Sequence, residues 1–551
     1  MIGASLLLCA LIFYYFSVLR IDYQETELLD LGPYPDAVEY FAQAKAVLKD
    51  GWPSIQIGYD KLPSRYPFGY PVLMLPWLKS LPQADSILAP FRTNQTIGLL
   101  LLLAVFGFYT YLAMPLTGGI ATLLLATLPG FFTFCRSSMS DISASTLIVL
   151  AFMFAYLGLA EQRRWKIYLS AVILGLSVNV RIPSVFFAPL LLSMALFPIG
   201  RMRFRWFLHC GAVAIVFLLA ATPVLLFNKI EFHSPFKTGY EFWVPYWSMR
   251  LFSPRYIPNN LATLWREVVL YPQGYHTANI FGTGTLFVSG FILLVMAGLF
   301  FVRTNSFILS AFMSGLTYLT SMLSHNSQLV DVRYYLPLLV LSVALAVLPV
   351  TWAAKNLFTG KRIIASLVVF VAFAAACLGY PSRSGYNAVG INRCQAWDAL
   401  HFADPPHRYH RQSLSPAHKA RAFFAQKNFA EFVGNRPGIV LSSIDPVYLN
   451  VLLPDRFVAA PLDGDHNYRF SEIWHYDRPE ALALVKQGLD RGLPIYALFT
   501  SNKEMTTQQS RLPALPGYEW TILNNSGGEA VVLQLAQAHP PLAYRMRCFA
   551  H

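Results

Sequence analysis

A few acidic, basic and aromatic residues lie just beyond apolar stretches of this sequence, where ionisable groups are costly and often functional. Asp36 begins a segment with helical apolar spacing, among Tyr34, Tyr40 and Phe41. A carboxylate in this position can accept a proton from a hydroxyl group. It can equally cap the helix, with Glu39 three residues later completing a capping box. The sequence leaves both roles of Asp36 open.

Lone arginines lie at the ends of two other apolar stretches. Arg181 is found in Asn-Val-Arg-Ile-Pro, and Arg333 in Asp-Val-Arg-Tyr-Tyr-Leu-Pro, where Asp331 is a possible ion-pair partner. A guanidinium can bind phosphate through its planar fork, or it can extend from the apolar region into the interface. Arg136 and Asp141 flank Ser-Ser-Met-Ser and can pair with each other or contribute to the same chemistry.

Metal and nucleotide chemistry has little support. His325 is a lone histidine beyond an apolar stretch, and such a residue is usually structural. No Gly-rich phosphate loop follows a predicted strand, so nucleotide binding is not expected. The sequence does not identify a cofactor. A divalent cation is possible, but no residue spacing defines a site for it. Oxygen or nitrogen ligands for one are available from Asp36, Glu39, Asp141 and His325.

The composition is that of a polytopic membrane protein. Hydrophobic residues make up 55% of the 551 residues and charged residues 13%, against about 25% charged in an average soluble domain. The net charge is +13, from 42 basic and 29 acidic residues. Basic residues in cytoplasmic loops account for this excess. No basic tract alternates with aromatic residues, so nucleic acid is not an expected partner.

Charge-poor stretches predict eleven transmembrane helices, since about 20 apolar residues cross a bilayer core. Residues 2–19 form the first, which we interpret as an uncleaved anchor. Two more are predicted between Arg92 and Arg136, joined by a turn at 115–119. The others are predicted near 142–160, 167–180, 183–198, 207–228, 279–302, 305–323, 334–353 and 363–380.

Loop charges orient these helices. If the N-terminus is cytoplasmic, the short inner loops contain ten basic residues and the short outer loops only Arg136, Arg181 and Arg333. This asymmetry follows the positive-inside rule. It predicts a multi-pass protein of the inner membrane whose C-terminal part is periplasmic or otherwise extracytoplasmic.

Two outer loops, at 20–92 and 229–277, are long, and the first is predicted to be structured. Residues 36–48 have helical apolar spacing and precede Lys49-Asp50-Gly51, a helix stop. The segment 66–77 is rich in aromatic residues and proline and suits the membrane interface. We therefore expect a membrane domain over 1–380 that includes both loops.

The tail, 381–551, has a soluble composition and predicts an α/β domain. Its predicted helices are 417–433, 446–453 and 479–491, and its predicted strands are 438–443, 456–460, 494–500 and a closing hairpin of 519–523 with 529–535. Cys394 and Cys548 are the tail's only cysteines, and in an oxidising compartment they are candidates for a disulfide.

Acids and arginines at the outer face suit the transfer of a sugar from a polyprenyl phosphate. The acceptor hydroxyl must lose a proton, which requires one carboxylate base. The leaving lipid phosphate gains negative charge, which arginines would stabilise. Membrane lipids would surround the site.

Six stretches resemble the integral-membrane glycosyltransferases of the GT-C fold, in particular the bacterial branch related to protein mannosyltransferases and the lipid A aminoarabinose transferase. These are Asp36-Ala-Val-Glu-Tyr-Phe-Ala-Gln-Ala with Gly51, Tyr66-Pro-Phe-Gly-Tyr-Pro, Ser138-Met-Ser-Asp141, Gly175-Leu-Ser-Val-Asn-Val-Arg181-Ile-Pro, Ser234-Pro-Phe-Lys-Thr-Gly-Tyr240 and Arg333-Tyr-Tyr-Leu-Pro337. They follow the family's order over roughly 1–380.

The resemblance implies an inverting transfer with Asp36 as the general base and Arg181 and Arg333 at the donor phosphate. It implies a polyprenyl-phosphate sugar donor and a glycolipid, polysaccharide or protein acceptor. Protein mannosyltransferases have Asp-Glu in this loop, whereas Ala37 follows Asp36 here, which leaves the first two acceptors more open. Supporting positions are Glu39, Tyr40, Arg65, Tyr66, Arg136, Asp141, Tyr240, His325 and Tyr334.

Other functions are compatible with parts of the pattern. A polymerase or ligase of surface polysaccharide would join pyrophosphate-linked chains. A lipid-sugar flippase or transporter would be expected to have inverted repeats and paired broken helices, which the sequence does not show. A sensor or assembly protein would not need so many spans.

Overall fold

The structure, a computed structural model, describes the membrane part of the chain over residues 2–20, 36–195, 203–243, 252–264, 293–302, 305–325 and 335–357. In the C-terminal part it describes residues 429, 432–434, 436–443, 446–452, 456–462, 478–499, 501–525 and 531–538. The chain forms two compact units. The first contains Met1–Pro53 and Pro63–Ser415, and the second contains Ser54–Leu62 and Pro416–His551.

The described residues of the first unit are mostly helical. Four helical segments are long and apolar enough to cross a membrane, namely Ile2–Leu19, Asp85–Tyr111, Asp141–Ala160 and Trp206–Phe232. With the sequence composition, they make the chain an integral membrane protein. The helices are α1 (Ile2–Tyr14, continued by a π-helical turn), α2 (Asp36–Asp50), α3 (Gly69–Ser80), α4 (Ala89–Tyr111), α5 (Pro115–Thr127), α6 (Pro129–Cys135), α7 (Asp141–Ala160), α8 (Arg164–Val180), α9 (Leu190–Ala195), α10 (Arg203–Phe232), α11 (Gly239–Trp243), α12 (Ile257–Leu264), α13 (Asn305–Leu323) and α14 (Leu336–Leu357).

The predicted turn at 115–119 is wrong in detail. The chain turns at Leu112–Met114, and Pro115 is the first residue of α5. Proline suits this position because the first helical N–H has no partner in the helix. Gly119 lies inside α5, where an added Cβ would come within 2.6 Å of the Gly3 carbonyl oxygen of α1. The glycine therefore serves close packing of two membrane helices, and not the turn.

A proline interrupts the hydrogen-bond ladder of α10, and a side chain of α8 bonds to the backbone beside it. Pro223 lies inside α10 and cannot donate to the helical ladder. The Asn179 amide donates to the Ala220 carbonyl at 2.8 Å and accepts from the Val224 N–H at 2.8 Å. Asn179 thus satisfies backbone groups on both sides of the proline and fixes α8 against α10.

The second unit is built on a five-stranded mixed sheet. Its strands are β3 (Gly438–Ser442), β4 (Phe457–Pro461), β5 (Ile495–Phe499), β6 (Tyr518–Asn525) and β7 (Val531–Gln537), in the order β4-β3-β5-β7-β6. The first three are parallel, and β7 runs antiparallel to both β5 and β6. All five strands, including the closing hairpin, confirm the sequence prediction.

The helices of the second unit are α15 (Val447–Leu452), α16 (Arg478–Asp490) and α17 (Asn502–Gln508). The first two confirm predictions, and α17 was not predicted. The burial pattern explains the success: every residue of β3 and of β5 is buried, as continuous apolar runs in a parallel sheet should be.

A hairpin from the first outer loop completes the second unit. Strands β1 (Ile55–Ile57) and β2 (Asp60–Leu62) pair antiparallel, and the Gly58 N–H donates to the Ala459 carbonyl at 2.8 Å. Asn450 donates to the carbonyls of Gln56 at 2.7 Å and Ala459 at 3.0 Å. From its sequence, the whole of 20–92 is expected in the membrane domain, and no sequence pattern indicates that residues 54–62 belong to the second unit.

Several predictions fall outside the described residues. The last predicted span (363–380), most of the span at 279–302, the helix at 417–428, and Cys394 and Cys548 all belong to this group. The predicted boundary at residue 380 and the count of eleven spans therefore stay predictions.

Candidate active site

Asp36 lies in the first turn of α2 and is partly exposed to solvent. The Tyr66 hydroxyl donates a hydrogen bond to its Oδ1 at 2.5 Å. Burial raises the pKa of Tyr66 well above its ordinary value; Arg65 opposes this shift and the negative charge of Asp36 adds to it. Tyr66 therefore stays protonated and acts as a hydrogen-bond donor that orients the carboxylate.

Glu39 does not form the capping box that the sequence allowed. Its carboxylate accepts from the Ser64 hydroxyl at 2.8 Å, from the Arg65 Nε at 2.8 Å and from the Arg65 Nη2. The Glu39 side chain is 0% exposed and that of Arg65 is 5% exposed. The carboxylate is therefore committed to a tertiary ion pair, because Arg65 offers a charged partner where a backbone N–H would be neutral.

Tyr66, the partner of Asp36, belongs to an aromatic group of four tyrosines. The ring centroids of Tyr40 and Tyr66 are 4.8 Å apart, and those of Tyr40 and Tyr70 are 5.2 Å apart. The ring of Tyr240 meets that of Tyr66 edge to face at 5.6 Å. Tyr240 belongs to α11, so a segment of the second long loop reaches the first.

The Tyr40 hydroxyl connects α2 to the loop before α7. It hydrogen-bonds to the Ser140 hydroxyl at 3.0 Å, directly before Asp141. Asn94 of α4 holds the same loop through the carbonyls of Ser137 at 2.8 Å and Met139 at 2.7 Å. The loop that carries the predicted polar residues is thus fixed from two helices.

Asp141 and Arg181 form an ion pair, with the Asp141 side chain 0% and the Arg181 side chain 14% exposed. Pairing of Asp141 with Arg136, considered from the sequence, is thus replaced by pairing with an arginine forty residues later at the end of α8. Arg136 is itself 2% exposed. Among the described residues, the acids and arginines predicted for the membrane domain therefore gather around the starts of α2 and α7 and the end of α8.

Three predicted site residues are not among the contacts described above. Arg333 and Tyr334 lie outside the described residues. His325 follows α13, where its ring packs against Phe252 at 5.3 Å and its carbonyl accepts from Asn260 at 2.8 Å. Within the described part of the chain, no three histidine, cysteine, aspartate or glutamate residues are placed to hold a metal ion.

Sequence reasoning missed Ser64 and Ser140 as partners. Each is a single hydroxyl whose role depends on a contact with α2 from 25 and 100 residues away. Serine is common in loops, so neither position had a local signal.

Comparison with solved structures identifies the fold. The chain is similar to ArnT, a lipid A aminoarabinose transferase, from Cupriavidus metallidurans, in its crystal structure bound to undecaprenyl phosphate. The TM-score is 0.60 at 12% sequence identity, with 96% of this chain and 97% of that chain covered. The apo structure of the same enzyme gives a TM-score of 0.57 at 14% identity, with the same coverage. No protein-family model and no curated protein matches the sequence.

The chain therefore has the GT-C fold of these membrane glycosyltransferases. At this identity the likeness establishes the fold alone, as unrelated chemistries can share a fold. What the chain does must be argued from its own site.

Proposed function

We propose that this protein transfers a sugar from a polyprenyl-phosphate donor to an acceptor hydroxyl at the outer face of the membrane. Asp36 is the general base, and the anomeric configuration is inverted. The observation that carries the proposal is the Asp36 carboxylate, partly exposed and held by the Tyr66 hydroxyl at 2.5 Å. A base that removes a proton from a hydroxyl must be both accessible and oriented.

Lipid-phosphate chemistry is supported by the setting of this carboxylate. Asp36 lies in a unit of membrane-spanning helices, and the similar ArnT structure binds undecaprenyl phosphate. Asp141 orients the Arg181 guanidinium by an ion pair. We propose that Arg181, together with Arg333, stabilises the charge that grows on the leaving phosphate. The transfer itself needs no redox or nucleotide group.

The loop charges support a protein of the inner membrane whose N-terminus is cytoplasmic and whose C-terminal tail is periplasmic. In that orientation the starts of α2 and α7 and the end of α8 are all outer-face positions. A glycolipid or polysaccharide acceptor is favoured because Ala37, and not glutamate, follows Asp36.

The donor class can be tested with the purified protein in detergent. We would supply one radiolabelled sugar as polyprenyl phosphate, polyprenyl pyrophosphate or nucleotide sugar, each with cell-envelope lipids. Label should move only from the polyprenyl phosphate, with release of free lipid phosphate. Transfer from the pyrophosphate alone would indicate a polymerase or ligase, and use of the nucleotide sugar would contradict the proposal.

The phosphate-binding role of the arginines gives a separate prediction. Arg181→Lys and Arg333→Lys keep the charge but lose the planar fork, so we expect donor KM to rise or kcat to fall by about tenfold while acceptor KM stays unchanged. Arg255→Lys, in an exposed pair with Tyr256, is the matched control. Unchanged donor kinetics in both variants would instead assign the two arginines to the membrane interface.

A further inference from the structure

The buried Glu39–Arg65 pair is not explained by stability. Removing two charges from water costs several kcal/mol per ion. Two apolar residues in place of the ion pair often stabilise a core at least equally. Yet Glu39 is 0% and Arg65 5% exposed. The Glu39 carboxylate also accepts from the Ser64 hydroxyl at 2.8 Å and the Arg65 N–H at 3.3 Å. With the bonds from the Arg65 Nε and Nη2, Glu39 accepts four hydrogen bonds. All four come from Ser64 and Arg65, the two residues directly before Tyr66.

The contacts continue from this pair to Tyr66. The Ser64 hydroxyl, which donates to Glu39, accepts from the Tyr66 N–H at 3.1 Å. The Arg65 guanidinium lies 5.1 Å from the centre of the Tyr66 ring. Tyr66 in turn donates to Asp36, which is three residues before Glu39 on the same helix. Two points on one turn of α2 therefore hold the segment 64–66.

Arg65 is engaged by this pair and is not placed as a phosphate ligand. Its Nε and Nη2 both donate to Glu39. Burial acts to lower the pKa of Arg65, but the negative charges of the Glu39 and Asp36 carboxylates outweigh burial and raise it above its ordinary value. The cation is permanent, and its Nε and Nη2 donors face α2.

We propose that Glu39 and Arg65 are positioning residues that hold the Tyr66 hydroxyl against Asp36 and so orient the base. The proposal deepens the function above and rests on it. Displacement of a catalytic group by about 1 Å can reduce a rate by two orders of magnitude. The need to hold the base accurately accounts for the burial of the Glu39–Arg65 ion pair.

The experiment replaces the pair by apolar residues of similar size, Glu39→Leu with Arg65→Met, so that no buried charge is left unpaired. Size-exclusion profile and unfolding temperature report folding, and Arg65→Lys is a milder second variant. We expect kcat to fall at least tenfold in the double variant and donor KM to stay within about twofold. Tyr66→Phe should cost about the same, and the triple variant should show no further loss, because groups acting in one chain are not additive.

The control is the Glu161–Lys166 ion pair, whose Nζ and Oε2 atoms are 2.6 Å apart. It lies at the opposite end of α7 from Asp141, about 30 Å along the helix axis. Glu161→Gln with Lys166→Met should leave kcat unchanged. A triple variant whose losses multiply, or a folded double variant with normal kcat, would overturn the positioning role.

A readout independent of turnover separates this proposal from the proposed function. With 3-fluorotyrosine at position 66, the fluorine resonance should shift on Asp36→Asn in the otherwise unchanged protein and not in the Glu39→Leu/Arg65→Met protein. An equal shift in the two proteins would show that Tyr66 is held against Asp36 without the Glu39–Arg65 pair. Absence of transfer from every donor would defeat the proposed function alone, because the resonance still reports the Tyr66–Asp36 contact.

Discussion

At the residue scale, the structure shows that polar residues distant in sequence form ion pairs. The sequence singled out Arg181 because a charge beside an apolar stretch is costly, and Asp36 and Asp141 because of their local setting. Glu39 and Arg65 were only supporting positions implied by the family resemblance. The sequence could not say which acid would meet which base. Two local interpretations, the capping box at Glu39 and the pairing of Asp141 with Arg136, gave way to partners 26 and 40 residues distant.

His325 gives a prediction of pH dependence. Burial lowers the pKa of His325 to about 4, below the value of about 6.5 in an unfolded chain. Between these values the unfolded chain binds a proton that the folded protein does not, so this residue makes stability fall as the pH drops from about 6.5 towards 4.

His325→Gln should therefore lose fewer degrees of unfolding temperature than the unchanged protein between pH 7 and pH 5. Calorimetry or intrinsic fluorescence in detergent measures the difference, and carboxylates common to both proteins cancel. Identical pH slopes for the two proteins would show that His325 is not buried as the structure has it.

At the element scale, the site combines the ends of long helices with short segments of the outer loops. The sequence pattern predicted α2 from helical apolar spacing, and α7, α8 and α10 from long charge-poor stretches. It gave no indication of α11, a helix of five residues whose position depends on packing. Gly239 begins α11 against the Ser64–Tyr66 segment, and an added Cβ there would come within 2.6 Å of the Arg65 Cα.

Gly239→Ala should thus displace backbone on one side or the other, since backbone atoms cannot rotate away. We expect transfer to fall about tenfold or more with the protein still folded, because the segment beside Asp36 moves. Gly107→Ala is the matched control, as nothing lies within 4 Å of a Cβ added there. Equal activity of the two variants would contradict a close fit of α11 at the site.

At the scale of the whole molecule, the chain leaves the first unit after Pro53 and returns to it at Pro63. The hairpin between these points belongs to the second unit, although Gln56 and Asn450 are 394 residues apart. Sequence patterns predict local elements, and all the strands of the tail were found in that way. A pairing across this distance carries no local signal, so the exchange could not be foreseen.

Asn450 should control the attachment of this hairpin. Its amide donates to two carbonyls, and its oxygen accepts from the Ala459 N–H at 2.9 Å. Leaving such groups unsatisfied costs about 1–3 kcal/mol each. In Asn450→Ala, hydrogen exchange at Gly58 should speed up by at least tenfold, as measured by mass spectrometry. The exposed Asn502→Ala is the control, and unchanged protection of Gly58 in Asn450→Ala would refute this role.

We propose above that the Asp36 carboxylate is the base for sugar transfer from a polyprenyl phosphate, and one comparison of rates tests this role. The direct measurement compares initial rates of Asp36→Asn and Asp50→Asn at saturating donor, after equal folding is verified. Both changes neutralise an acid on α2, but Asp50 is exposed at its far end. We expect a fall of about a hundredfold or more for Asp36→Asn and a normal rate for Asp50→Asn. A normal rate in folded Asp36→Asn protein would contradict this role.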